Sequence, residues 1–171
     1  MLCNIPNWKY NQASPSSTFG LTTKADRNVS RTPEIGFALR EQVIDLNNVT
    51  QYATLCEFKN NKVLSITYPQ VLATPLHIEV MTQANFPFKL LGLVHVNNVI
   101  NQYRPINRSE RVDIFCRAGD LYATDKGMEA VLISEFRVGD ELVWDSTSTM
   151  LSRGYVPTGV TTSPTEKWLI C

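Results

Sequence analysis

Apolar positions recur with two different periods in residues 67–106. Leu72, Leu76 and Val80 come every four residues, with Ala73 and Ala84 beside them, which lays one apolar stripe along a helix. Two starts fit that helix. Thr74 caps it and Pro75 fills its first turn, or Pro69 marks an earlier start and Pro75 a kink. After Asn85-Phe86-Pro87-Phe88 the period falls to two. Val94, Val96, Asn98 and Ile100 then alternate with His95, Asn97, Val99 and Asn101, the pattern of a strand exposed on one face and ended by Pro105.

The same two periods organise the flanks. Residues 35–44 read as a first strand. Asp45 and Asn47 offer cap chemistry before Val49, Tyr52, Ala53 and Cys56, whose spacing predicts a short amphipathic helix. Three further strands are expected at 111–118, 128–138 and 142–151, separated by Asp125-Lys126-Gly127 and Gly139-Asp140 turns. The sum is an α+β domain over 34–153, a curved antiparallel sheet wrapped on one helix. Residues 1–33, rich in Asn, Ser, Thr and Pro, read as an extended or poorly ordered arm that Trp8, Tyr10 and Phe19 would anchor. Residues 154–171 have the composition of a linker but end on Trp168-Leu169-Ile170-Cys171, as if a further segment began there.

Composition narrows the function classes. An apolar fraction of 43% in 171 residues fills one substantial core. Sixteen basic residues balance sixteen acidic ones without a basic run, so the electrostatic footprint of a nucleic-acid binder is missing. Cys3, Cys56, Cys116 and Cys171 lie far apart, with neither CxxC spacing nor histidine clusters, which argues against a metal site or a disulfide framework and for reduced thiols. No signal-peptide pattern and no membrane-length apolar run occurs, so a cytoplasmic protein without membrane attachment is expected. Nothing calls for a cofactor.

Four segments, TYPQVLATPLH, GLVHVNNVI, QYRPINRSERV and ELVWDSTSTMLSRG, occur in an order that resembles the MaoC-like acyl dehydratase, or (R)-specific enoyl-CoA hydratase, family. The similarity spans roughly 35–153 and is closest to the N-terminal half of two-domain members. It implies a hot-dog fold and addition or loss of water at a 2-enoyl thioester carried on coenzyme A or acyl carrier protein. A second hot-dog domain or a homodimer would complete the assembly. The family's chemistry uses a GDxNPxH segment, whose Asp and His deprotonate a water while backbone N–H groups polarise the thioester carbonyl. Its expected place, residues 57–64, holds neither Asp nor His. Thr74-Pro75-Leu76-His77 echoes NPxH, but Leu72 stands where the Asp belongs. The resemblance therefore implies an acyl-thioester-binding half without its own catalytic pair. A hot-dog acyl-CoA thioesterase and a non-catalytic scaffold are the rival readings.

Individual residues carry two readings each. His77 is either a general base or a hydrogen-bonded histidine on the helix flank. His95, placed by alternation on the Asn97/Val99 face, either meets substrate or lies at an interface or in solvent. Arg104 and Arg108 either fork onto carrier phosphates or are solvated charges. Met81, Phe86 and Phe88 either line an acyl tunnel or fill the core. Asp113, Glu141 and Asp145 read as strand-surface charges rather than an acid/base pair.

Overall fold

Asp45 starts the first helix as its residue type dictates: its carboxylate accepts from the backbone N–H of Asn47 and Asn48, and α1 runs Leu46–Leu55. In the computed structural model, residues 34–59 and 62–154 are described, together with the backbone of residues 3–4. The remainder of the expected arm, with Trp8, Tyr10 and Phe19, lies outside the described residues, as do Asn60, Asn61 and the tail from 155 onward. The strands are β1 (Cys3–Asn4), β2 (Gly36–Val43), β3 (Leu93–Gln102), β4 (Arg111–Thr124), β5 (Gly127–Val138) and β6 (Glu141–Arg153). They form one sheet in the order β1-β2-β4-β5-β6-β3, antiparallel throughout. The long helix α2 (Tyr68–Thr82) packs across β4, β2 and β5 on the concave face.

Of the two starts open to α2, the earlier one is realised. Pro69 occupies the first turn and the helix continues through Pro75. The extra N-terminal turn is held by tertiary contacts. Tyr68 is buried against Tyr52, ring centroids 5.2 Å apart, and the Tyr52 hydroxyl meets Thr67 Oγ1 at 2.9 Å. Pro75 removes the donor for the Val71 carbonyl on the outer face, where water can replace it. Ala73, Leu76 and Val80 are fully buried beneath the helix, each large side chain contributing about 1.5–3 kcal/mol. Ala84 falls beyond the helix end and is exposed.

The β4–β5–β6 meander gives the sheet its body. β4 continues past Ala118 to Thr124 through a register shift that absorbs Gly119-Asp120, so it is longer than alternation alone predicts. At the next turn Gly127 has φ +142°, and a Cβ there would stand 2.1 Å from the Ser152 carbonyl oxygen, so no other residue fits. Trp144 of β6 lies opposite Phe136 of β5, fully buried, with an edge-on ring contact at 5.1 Å. Its indole N–H donates to the Ile66 carbonyl at 2.8 Å and ties the sheet to the start of α2.

β3 differs from its sequence-based expectation. Among the described residues it pairs with β6 alone and forms an edge of the sheet, with Val94, Val96 and Val99 exposed. A strand exposed on one face was expected, but an edge position opens much of the second face as well. The far end of β3 is pinned by charge. Arg104 donates from Nε to Glu141 at 2.9 Å and from Nη1 to Glu110 at 3.1 Å. Glu110 also accepts from the Asn107 backbone N–H at 2.6 Å, and Arg104 in turn holds the Glu110 carboxyl below its ordinary range. Replacing Arg104 by Ala is expected to cost about 1 kcal/mol in urea unfolding, the scale of a partly exposed ion-pair network; an unchanged midpoint would mean the pairs contribute nothing.

Candidate functional site

A polar seam crosses the apolar concave face beneath α2. Gln70 and His77 are seven residues apart, two helical turns, and so share the face turned to the sheet. On β5 and β6, alternation places Ser134 opposite Ser146, with Ser148 two residues further on the same face, and all three are fully buried. His77 Nε2 meets Ser134 Oγ at 2.7 Å. Ser146 Oγ donates to Gln70 Oε1 at 2.8 Å, Gln70 Nε2 donates to Ser148 Oγ at 3.2 Å, and Ser148 Oγ donates to Asn98 Oδ1 at 3.1 Å. Every buried hydroxyl in the seam is thereby satisfied, as the cost of an unpaired buried polar group requires.

His77 is 4% exposed, a buried residue rather than one on the helix flank. The sequence pattern underestimates its burial because β5 rises to meet it. Burial, followed by the nearby His95, pulls its pKa down to about 4, so the imidazole is neutral at physiological pH. Burial also pushes the Cys116 thiol up to about 12, an increase that Ser134 and Arg117 only moderate, so it is not a ready nucleophile. Ser134 beside His77 has the composition of a nucleophile–base pair, but it is sealed from solvent. Among the described residues, no carboxylate is hydrogen-bonded to either histidine, and no group of three or more potential metal ligands occurs.

His95 sits on the opposite face from the one its alternation predicts. A register shift between His95 and Asn97 makes Val96 an extra residue, so His95 lies opposite Met150 and Asn98 opposite Ser148. Met150 and Ser148 share the concave face, and His95 therefore joins Asn98 and Ile100 rather than Asn97 and Val99. It remains exposed, within electrostatic range of His77. A period-two reading cannot register one inserted residue.

The other sequence candidates are dispersed. Met81 and Phe86 are buried at the C-terminal end of α2. Phe88 is half-buried, its ring 6.1 Å from Phe86 and edge-on to it. Arg104 is committed to Glu110 and Glu141. Arg108 lies with Lys59 in the wall of a separate pocket of about 260 Å³ behind α1, among Val49, Ala53, Phe58 and Leu64. Asp113 pairs with Arg40 at 2.6 Å, and Asp145 accepts from Asn101 and Tyr103, so both are strand-surface groups. Sequence reasoning passed over Gln70, Ser134, Ser146, Ser148 and Asn98. The available signal was a run of small polar residues, Ser146 and Ser148, in the inward register of an otherwise apolar strand.

One long helix cradled by an antiparallel sheet with this strand order defines a hot-dog protein. No family model matches the chain. Over 119 residues it is 31% identical to 3-hydroxyacyl-thioester dehydratase X of Mycobacterium tuberculosis (strain ATCC 25618 / H37Rv), covering 70% of this chain and 42% of that protein. The crystal structure of HtdX from Mycobacterium tuberculosis superposes with a TM-score of 0.65 at 30% identity, over 69% of this chain and 51% of that one. A C-terminally truncated HadBC (3R-hydroxyacyl-ACP dehydratase) complex from Mycobacterium tuberculosis shares the fold at 13% identity, with a TM-score of 0.57 over 71% of this chain and 99% of that one. The chain is thus similar, over one hot-dog unit, to the MaoC-like hot-dog dehydratases. It spans about half the length of the dehydratase X chains it matches.

Proposed function

We propose that this chain is the acyl-thioester-binding hot dog of a MaoC-type hydro-lyase, which adds water to or removes it from a 2-enoyl thioester on coenzyme A or acyl carrier protein. The catalytic Asp and His come from a second hot-dog domain. The observation that carries the reading is the 31% identity to a 3-hydroxyacyl-thioester dehydratase across most of the described domain. A site in which the buried histidine faces a serine instead of a carboxylate supports the division of labour. The edge strand β3, with Val94, Val96 and Val99, and the outward Val71 and Ile78 of α2 offer the docking surface for that domain. Arg108 and Lys59 beside their pocket supply cationic contacts for carrier phosphates. Coenzyme A and acyl-carrier chemistry of this kind suits the cytoplasm.

The test is calorimetric titration of the purified chain with decanoyl-CoA, alongside hydration of trans-2-decenoyl-CoA followed by loss of the enoyl absorbance. Saturable binding with turnover at background is expected. Absence of binding would overturn the reading, as would robust turnover that survives combined His77→Ala and His95→Ala substitution.

A further inference from the structure

The hydrogen bonds of the seam run in one direction. From Ser146 through Gln70 and Ser148, each group donates to the next, and the series ends on Asn98 Oδ1. The assignment of the Asn98 amide is thereby fixed: its oxygen accepts from Ser148, and its NH₂ is left as a donor on the half-buried edge-strand residue. Among the described residues nothing accepts from that nitrogen. A core that needed only stability would place Val or Ile at the Ser146 and Ser148 positions, since each buried hydroxyl carries a desolvation cost and returns little net energy once paired. Here two such hydroxyls and a half-buried glutamine orient one donor at a rim.

The surroundings specify what that donor would meet. α2 lies over β4, β2 and β5 and reaches Ser146 and Ser148 of β6 through Gln70, so the concave face of β6 is buried and the β3 margin beyond it forms a shelf. The register shift at Val96 turns Leu93 and His95 onto the same face as Asn98 and Ile100. Leu93 and Ile100 are half-buried there and packed against the core. An apolar shelf that carries the Asn98 amide donor, with the His95 imidazole further along the same strand, suits a chain that is mostly hydrocarbon and bears one carbonyl oxygen.

The geometry points to Asn98 as the residue that recognises the thioester carbonyl of an acyl chain lying along the α2–β3 shelf, with Gln70 and Ser148 as positioning residues that hold its amide. This deepens the proposed function and rests on it. Catalysis is not assigned to Asn98.

The experiment uses the full chain and decanoyl-CoA labelled with ¹³C at the thioester carbonyl. Calorimetry gives Kd, and isotope-edited infrared spectroscopy gives the carbonyl stretch in the bound state. The wild type is expected to show a stretch lowered by hydrogen bonding. Asn98→Ala is expected to weaken binding about tenfold, the scale of one hydrogen bond in a desolvated site, and to return the stretch to its unbonded frequency. Gln70→Leu, which leaves Asn98 in place but unsupported, should weaken binding about threefold and broaden the band. Thermal denaturation of each variant separates loss of binding from loss of fold, and a variant that does not fold is replaced by Asn98→Asp, whose carboxylate repels the carbonyl and should weaken binding at least as much as alanine. Unchanged Kd and stretch in a folded Asn98 variant would overturn the assignment while leaving the acyl-thioester function standing. An unshifted stretch in the wild type would also overturn it, even if binding fell on substitution. A wild type that binds no decanoyl-CoA removes the proposed function and this assignment with it.

Discussion

Trp144→Ala is expected to lower the free energy of unfolding by about 4 kcal/mol, the range seen when a fully buried aromatic is truncated to alanine. Two effects combine. The side chain is completely buried, so its removal leaves a cavity bounded by Phe136, which loses its edge-on partner at 5.1 Å. The indole N–H also gives up its 2.8 Å bond to the Ile66 carbonyl, at the segment that leads into α2. Because Ile66 is half-exposed, water can satisfy that carbonyl, and most of the loss belongs to packing. Trp144→Phe keeps much of the ring volume and should cost about 1–2 kcal/mol. Urea unfolding followed by far-ultraviolet circular dichroism compares the three proteins. Equal losses for Ala and Phe would show that the hydrogen bond, and not the packing, dominates.

The second large effect is acid destabilisation through His77. Its folded pKa is about 4, against an ordinary value of 6.5, because the charged imidazolium is disfavoured by burial and then by His95. Ser134 meets the ring and His95 acts on it electrostatically, and among the described residues no carboxylate is hydrogen-bonded to it that would stabilise the protonated form. Between pH 6.5 and pH 4 the unfolded chain therefore binds a proton that the folded chain refuses. Stability falls as pH drops through that window and levels off below about pH 4. At 1.36 kcal/mol per unit the contribution is about 3 kcal/mol. His77→Gln keeps a side chain able to meet the Ser134 hydroxyl but cannot titrate, so its stability should change less between pH 7 and pH 4 by that amount. Carboxylate titrations common to both proteins cancel in the comparison. Parallel stability profiles for the two proteins would show that His77 does not resist protonation.

The sheet-and-helix plan is legible in the chain because it rests on local periodicity. The Leu72-Leu76-Val80 stripe can form one buried helix face, and the alternation of 128–138 can form one two-faced strand. Asp45 caps α1 through its own carboxylate, a contact two and three residues long. The segments that carry the family resemblance are likewise contiguous in sequence, which is why fold and family can be read together. The candidate site was far less legible. Its bonds join residues 57, 76 and 78 positions apart, and no local pattern encodes such distances.

Residues 67–106 and the three strand patterns that follow determine by themselves that a long helix and an antiparallel sheet will form, since side-chain period and turn chemistry act within a few residues. Which of two starts α2 adopts was decided by Tyr68 packing on Tyr52, a contact across two helices. The face that His95 presents was decided by one extra residue in the pairing of β3 with β6, because a single insertion reverses an alternation of period two. The burial of His77, and the amide orientation of Asn98, exist only once β5 and β6 bring three serines under α2. A hydroxyl in an alternating strand has no prescribed partner until the tertiary structure removes water from it, and desolvation then makes that partner obligatory.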